Sequence, residues 1–259
     1  MPAGALDKLE MRTLVLIITV LLTGFSALAQ VEPQEQAETF YREGKYQEAA
    51  EVYKNILAGG RESAGLYYNL GNCYYKLGEN TQAILNYERA LLLDPSDGMA
   101  RYNLKMAQKG IVDKIEVLPE LFFVRWFKAV ETYFSADQWG MISVSLFIFF
   151  LCMVALFFYA GTVGWKKTGF WVGVVALFLV AFTLFFAVKQ HHRITEREYA
   201  IITASSVTVK GAPDNSGTAL FLIHEGLKVR VIGTLGNWYN IRVADGNEGW
   251  VEKSELEKI

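Results

Sequence analysis

Two long uncharged stretches in the middle of the chain constrain its fold more than any other feature. No Asp, Glu, Lys or Arg lies between Asp137 and Lys166, and none lies between Lys167 and Lys189. Each stretch reaches the ~20 apolar residues that a helix needs to cross a hydrocarbon core of roughly 30 Å. Because a helix also satisfies its own backbone hydrogen bonds in lipid, the sequence predicts a membrane-spanning helical hairpin.

The predicted hairpin consists of helices over 139–159 and 169–188, joined by a turn over 160–168. Ser135 and Gln138 have the spacing of a capping box and indicate where the first helix begins. A membrane hairpin returns the chain to the side from which it entered, so the segments before and after it share a compartment. A buried helical hairpin of a soluble core is the alternative.

The N-terminus has the pattern of an export signal. Basic residues precede the apolar run 14–22, and the small-residue motif Ala27-Leu28-Ala29 follows it. This order predicts a signal peptide over 1–29, cleaved between Ala29 and Gln30. An uncleaved anchor helix, which would be a third span, is the alternative. Either interpretation exports the next segment.

The charges around the hairpin disagree with this topology. Five basic residues flank the hairpin, and only two lie in its turn, so the positive-inside rule alone would place the turn outside the cytoplasm. We give priority to the signal peptide because it acts first. The prediction is therefore an inner-membrane protein with both flanking domains on the periplasmic side. The flanking basic residues are Arg125, Lys128, Lys189, Arg193 and Arg197.

A repeat with a period of 34 residues occupies about 30–111. Similar residues recur in four pairs, which are Gly44 and Gly78, Ala49 and Ala83, Tyr53 and Tyr87, and Phe40 and Tyr74. The second copy carries Tyr67, Leu70, Gly71, Tyr74, Gly78, Ala83, Tyr87, Ala90 and Pro95. It resembles a tetratricopeptide repeat (TPR), a pair of helices that must stack to bury its apolar face. We predict repeats over 30–63 and 64–97 and a capping helix over 97–111.

The TPR resemblance implies a concave groove, lined by the first helix of each repeat, that binds an extended peptide or a partner helix. Amide and lysine side chains in such a groove would hold a peptide backbone or a carboxylate. The alternative is that these are ordinary solvated polar residues. The groove positions carried over to this sequence are Arg42, Tyr68, Asn69, Asn72, Tyr75, Lys76 and Asn103.

The segment 117–135 is amphipathic and rich in aromatic residues. Pro119 can begin a short helix, and Phe122 and Trp126 fall on one apolar side of it at helical spacing. We predict a helix lying in the membrane interface. A helix packed against the TPR cap is the alternative.

Five short β-runs separated by Gly and Asn turn signals predict a small barrel over 199–259, and they lie at 207–209, 219–222, 228–232, 238–242 and 249–251. The strings Val207-Thr-Val-Lys-Gly-Ala-Pro213, Asn237-Trp238-Tyr239 and Gly249-Trp250-Val251 resemble a bacterial SH3-like (SH3b) domain. The resemblance implies binding of extended or cell-wall peptides. Trp238 and Trp250 are the candidates for an aromatic groove, and the alternative places one or both in the barrel core.

Composition argues against several classes of function. A net charge of −2 gives no basic footprint for nucleic acid. The sequence has no glycine-rich phosphate loop, no G-x-S-x-G and no C-x-x-C. Of three histidines, His191 and His192 are neighbours that cannot face one metal from a helix, and His224, alone before a turn, is expected at the surface. We expect a protein that is not an enzyme and uses no cofactor or metal.

The complete order is signal peptide, all-α TPR solenoid, α-helical transmembrane hairpin and small all-β SH3-like barrel. This multidomain order resembles the BatE family of Bacteroides aerotolerance (Bat) proteins. The resemblance implies a membrane scaffold whose partners are von Willebrand A-domain membrane proteins and other TPR proteins, in a complex linked to oxidative-stress tolerance. The alternative is a cell-wall (peptidoglycan) sensor that binds mainly through the SH3-like domain.

Overall fold

The computed structural model describes residues 32–115 and 121–259. The predicted signal peptide, its cleavage site at Ala29 and Gln30, and Pro119 lie outside these residues. Within them the chain forms a helical region, two long apolar helices and an antiparallel sheet. This arrangement confirms the predicted multidomain fold class.

Five helices form the N-terminal region. They pack as two successive helix pairs followed by a single helix, and a short 3₁₀ turn at Gln108–Gly110 ends the region. Gly78 adopts a φ of 82°, which only glycine reaches without strain, and thereby turns the chain between the second pair. The helices are α1 (Glu32–Arg42), α2 (Tyr46–Ala58), α3 (Ala64–Leu77), α4 (Asn80–Leu93) and α5 (Gly98–Ala107).

Side-chain caps fix where two of these helices begin. The Ser63 hydroxyl accepts a hydrogen bond from the Leu66 amide at the start of α3. The Asp97 carboxylate accepts bonds from the Met99 and Ala100 amides at the start of α5. Each cap satisfies backbone donors that the helix itself leaves unpaired.

Close packing of α3 against α4 depends on a small residue. A Cβ added at Gly71 would lie 2.7 Å from two ring carbons of Tyr87, which is fully buried. Ala83, on the same helix as Tyr87, is also fully buried. The small residues of the repeat pattern therefore stand where helices approach most closely.

The apolar middle of the chain forms α6 (Phe122–Glu131), α7 (Ala136–Tyr159) and α8 (Val163–Glu196). The capping box at the start of α7 is present, since the Ser135 hydroxyl accepts from the Gln138 amide and the Gln138 side chain accepts from the Ser135 amide. α7 and α8 are long and apolar enough to cross a membrane.

The predicted turn over 160–168 is wrong in extent, because α8 already begins at Val163. The segment from Val163 contains no proline, and Thr162 in extended conformation can precede the helix directly. At the other end α8 continues past the apolar run to Glu196. Arg197, at a φ of 44°, ends it in the left-handed conformation.

The hairpin is tightly packed inside and apolar outside. A Cβ at Gly169 would lie 2.9 Å from the Met153 carbonyl oxygen and the Phe157 amide nitrogen, so the two helices touch there through backbone. Outward-facing side chains such as Phe158 and Phe178 are 68% and 73% exposed. A soluble core hairpin would bury these rings, so the exposure favours the membrane interpretation.

Helix α6 packs on α8 rather than on the TPR cap. The Phe127 ring lies 5.2 Å from that of Phe186, and Lys189 forms an ion pair of 2.7 Å with Glu131. Its other apolar side is open, with Phe122 77% and Trp126 66% exposed. An exposed apolar side next to the two long helices fits the predicted placement in the membrane interface.

Seven strands form one antiparallel sheet in the order β3-β2-β6-β5-β4-β1-β7. Residues from all seven strands share a single core, which includes Val207, Val229 and Ile241. The five predicted β-runs correspond to β2 to β6, whereas β1 and β7 have no counterpart among them. The strands are β1 (Tyr199–Ile202), β2 (Ser206–Lys210), β3 (Ala219–His224), β4 (Lys228–Leu235), β5 (Trp238–Arg242), β6 (Glu248–Glu252) and β7 (Leu256–Lys258).

Strand β1 joins the sheet to the helical region. Ala200 and Ile202 point into the barrel core, while Ile201 lies on the opposite side in a cluster with Ile84 and Ile259. All five residues are almost completely buried. The barrel is therefore packed against α4, and β1, which is buried on both of its faces, forms the seam between them.

Polar contacts surround this seam. The Arg89 guanidinium donates to the Glu257 carboxylate and the Lys258 carbonyl. The Asp113 carboxylate accepts from the His224 amide at 2.6 Å and contacts its ring Nδ1 at 2.9 Å. His224, expected at the surface, is partly exposed, and its contact with Asp113 holds the segment after α5 against the barrel.

The packing of α3 on α4 makes a sharp prediction. Gly71→Ala should lower the stability of the protein by ~1–3 kcal/mol, because the buried Tyr87 ring cannot move aside. Gly65→Ala, in the same helix with no atom near its added Cβ, is the matched control and should be neutral or slightly stabilising. Thermal unfolding of the purified protein in detergent, followed by circular dichroism, measures both. Equal melting temperatures for the two variants would contradict a close contact at Gly71.

Candidate functional site

A concave cavity of about 240 Å³ opens between α1, α2 and α3. Three of the predicted groove residues, Arg42, Asn69 and Asn72, line it together. Three further lining residues were not predicted as groove residues, and these are Glu38, Tyr41 and Tyr53. Glu38 stands one turn before Arg42 on α1, which is the signal by which it could have been found.

The lining of this cavity is polar, charged and aromatic. Arg42 is 74% exposed and only loosely paired, with 3.8 Å between its Nη2 and Glu38 Oε2. Burial raises the pKa of Tyr53 to about 12, so its hydroxyl stays protonated at neutral pH. The wall thus offers an available cation, a carboxylate, amide groups and aromatic surface, which together suit a polar peptide chain.

Tyr68, Asn72 and Asn103 form an internal network instead of presenting free groups. The Tyr87 hydroxyl donates to Asn72 Oδ1 at 2.8 Å, and Asn103 Nδ2 donates to the same oxygen at 2.8 Å. Asn103 Nδ2 also lies 3.3 Å from the Tyr68 hydroxyl. These hydrogen bonds connect α3, α4 and α5. Asn72 therefore both lines the cavity and stabilises the packing of these three helices.

Tyr75 and Lys76 lie on the same helix, α3, but outside the cavity lining. Both are exposed, Tyr75 by 41%. They extend the polar and aromatic surface of α3 beyond the cavity.

Trp238 and Trp250 are half-buried and lie outside the barrel core. Strand register pairs Trp250 with Asn240, two residues from Trp238, so both indoles stand diagonally on one outer face of the sheet. The alternative of core tryptophans is therefore wrong. Lys210 joins this face, with its Nζ 4.9 Å from the Trp238 ring centroid.

One polar atom on this tryptophan face has no partner. Asn240 Oδ1 is shielded from solvent and accepts no hydrogen bond within the described parts of the chain. Because that oxygen is shielded, the groups that this face offers to a ligand are the indoles of Trp238 and Trp250 and the Lys210 cation.

Nothing in the described residues resembles a catalytic metal centre, since no group of three His, Cys, Asp or Glu is placed to hold an ion. Burial raises the pKa of the Cys73 thiol to about 12, which removes it as a nucleophile at neutral pH.

Comparison with known proteins identifies two modules. Residues 64–97 match the tetratricopeptide repeat family, and residues 205–257 match the bacterial SH3 domain family. These matches suggest protein–protein interaction or cell-wall binding for this chain. TPR repeats are binding scaffolds rather than catalytic units.

Several proteins are similar over the repeat-sized part of the chain. Human (Homo sapiens) tetratricopeptide repeat protein 16 is 35% identical over 27% of this chain and 8% of its own length. Hsp70-Hsp90 organizing protein 3 of Arabidopsis thaliana is 28% identical over 39% of this chain and 16% of its own length. Rhomboid protease GluP of Bacillus subtilis (strain 168) is 32% identical over 40% of this chain and 22% of its own length. The chain thus spans less than a quarter of each of these relatives.

The groove network predicts a non-additive pair of substitutions. Asn72→Ala should destabilise the protein by ~1–3 kcal/mol, because it leaves the fully buried Tyr87 without an acceptor for its hydroxyl. Tyr87→Phe removes that hydroxyl, so the double variant should be more stable than the sum of the two losses implies. Measuring the free energy of unfolding of the unchanged protein, the two single variants and the double variant gives the coupling energy. Strictly additive losses would contradict the hydrogen bond between Tyr87 and Asn72.

Proposed function

We propose that this chain is a non-catalytic, membrane-anchored scaffold or adaptor of the bacterial cell envelope. The observation that carries the proposal is the open cavity on the concave side of the TPR region, where Arg42 and Asn69 stand beside Tyr41. A partner segment with carboxylates and backbone carbonyls would accept hydrogen bonds from the Arg42 and Asn69 side chains of this groove. The similar protein of Arabidopsis thaliana is named for organizing Hsp70 and Hsp90, which supports a role of this kind.

The anchoring part of the proposal rests on α7 and α8. Both are long and apolar enough to cross a bilayer, and most of their outward side chains are exposed. Together with the export signal of the sequence, they support an inner-membrane protein. Both the TPR region and the SH3-like barrel then lie in the periplasm.

The order of the domains supports a more specific role. TPR repeats, a two-helix membrane hairpin and an SH3-like barrel together resemble the BatE-type proteins. We therefore propose membership in a Bat-type complex with von Willebrand A-domain membrane proteins and further TPR proteins, linked to tolerance of oxidative stress.

A second function, cell-wall binding, is favoured by the tryptophan face of the barrel. Indoles on an outer face stack on extended or sugar-linked peptides, and Lys210 adds a cation beside Trp238. In that case the barrel would bind peptidoglycan peptides and the chain would act as an envelope sensor.

The proposed topology predicts the behaviour of reporter fusions. Because two spans return the chain to its starting side, fusions after Lys109 and after Ile259 should both report export. An alkaline phosphatase and a green fluorescent protein reporter at each point distinguish the two compartments. A cytoplasmic signal at either point would contradict the topology.

The groove proposal predicts that alanine substitutions in the cavity lining weaken binding of the protein partner. Arg42→Ala with Asn69→Ala should weaken partner recovery about tenfold or more, since interfaces concentrate their energy in few residues. Lys54→Ala, an exposed cation of α2 outside the cavity, is the matched control. Recovery is measured by quantitative co-purification from membranes. Asn72 is left unchanged, because its loss would disturb the fold.

A third variant separates the two functions. Trp238→Ala should leave partner recovery intact, and deletion of the barrel is avoided because Ile201 and Ile259 pack on the TPR region. Sedimentation with purified sacculi measures wall binding of the same proteins. If Trp238→Ala abolishes sedimentation while the groove variant retains every partner, the wall-binding function replaces the scaffold.

A further inference from the structure

A second, larger cavity lies where the TPR region, the membrane hairpin and the barrel meet. It measures about 520 Å³ and is bounded by α4, α6, the end of α8, β1 and β4. None of the predicted groove residues lines it. This junction cavity is therefore a site separate from the TPR groove and from the tryptophan face.

The junction cavity is rich in charge and positive on balance. Six basic side chains and four glutamates line it, so cations still outnumber carboxylates when Glu62, which pairs with Arg197 from outside, is counted as a fifth. Such an excess in a partly enclosed space attracts anions. The basic residues are Lys128, Lys189, Arg193, Arg197, Lys228 and Arg230.

Most of these cations already have carboxylate partners. Lys189 pairs with Glu131 at 2.7 Å, Arg230 with Glu198 at 2.9 Å, and Lys228 with Glu88. Arg197 pairs at 2.8 Å with Glu62, which lies outside the cavity.

Arg193 differs from these paired cations. It is half-buried in the cavity wall, and within residues 32–115 and 121–259 it has no ion pair or hydrogen bond. A half-buried guanidinium with five donors and no acceptor is the strongest anion-binding group of the cavity.

The position of the cavity relative to the apolar helices identifies the kind of anion. Lys189, on its wall, is the first charged residue after the apolar run of α8 and so marks the edge of the hydrocarbon region. Val124 and Phe127 of α6 and Leu91 and Leu92 of α4 give the cavity an apolar side. A site with an apolar side at this depth and a positive side beyond it has the polarity of an anionic phospholipid.

We propose that the junction cavity binds the phosphate group of an anionic phospholipid headgroup and that Arg193 is its main ligand. A guanidinium donates two parallel hydrogen bonds to a phosphate, which a lysine cannot do. The acyl chains leave along Val124 and Phe127 towards the bilayer. The inference rests on the proposed membrane anchoring, which the reporter fusions test separately, and it does not depend on the TPR groove.

The test uses the full-length protein in mild detergent and counts bound lipid by native mass spectrometry. The probes are phosphatidylglycerol and phosphatidylcholine at equal concentrations. One phosphatidylglycerol should be retained in preference to phosphatidylcholine, and Arg193→Gln should weaken its binding by about tenfold. Arg193→Lys keeps the charge but lacks the planar guanidinium. Its affinity for phosphatidylglycerol should therefore lie between those of the unchanged protein and Arg193→Gln.

The matched control is Arg125→Gln, an exposed arginine on α6 that does not line the cavity. It should leave lipid retention unchanged, and unaltered melting temperatures would show that the Arg193 variants are folded. Inorganic phosphate, tested by thermal shift, distinguishes the source of the anion. A stabilisation by phosphate that disappears in Arg193→Gln, without any preference for phosphatidylglycerol, would keep the phosphate site and replace the lipid by a soluble ligand. Equal losses in Arg193→Gln and Arg125→Gln, or binding of neither probe, would overturn the proposal.

Discussion

The burial of strand β1 on both of its faces is the interaction on which the rest of this structure depends. One face completes the barrel core through Ala200 and Ile202, and the other closes the convex side of the TPR region through Ile201. Burying an apolar side chain of this size contributes roughly 1.5–3 kcal/mol. Two repeats alone bury a small core, so the barrel acts as a stabilising cap for the solenoid as well as a module of its own.

The parts of the fold that the sequence predicts are those with long or periodic patterns. The 34-residue repeat, the two uncharged runs and the alternating strands β2 to β6 each extend over enough residues to be recognised. Strands β1 and β7 are only four and three residues long, and Tyr199-Ala-Ile-Ile202 has no alternation because both of its faces are buried. The end of α8 at Glu196 is not predicted from the sequence, because an arginine, Arg197, adopts the left-handed conformation for which glycine is the usual signal.

The candidate site also has one part that the sequence predicts and another that it does not. The repeat pattern correctly brings Arg42, Asn69 and Asn72 to one cavity, since a period fixes which helix face is concave. It cannot reveal that the Asn72 side chain already accepts hydrogen bonds from Tyr87 and Asn103, because hydrogen bonds between helices depend on side-chain rotamers and not on sequence spacing. For the same reason the sequence does not predict the junction cavity, because its walls come from five separate parts of the chain.

The continuity of α8 gives the molecule a mechanical property. The helix has 34 residues and a length of about 50 Å, and only Arg197 and Glu198 separate its last turn from the buried strand β1. A helix that is too long or too short for its bilayer tilts to match it. Since the described chain has only these two residues between α8 and the buried strand β1, a change in the tilt of α8 would change the angle of the barrel and of the cavity between α1, α2 and α3. The protein would then present its groove differently in thick and thin membranes without any change within its domains.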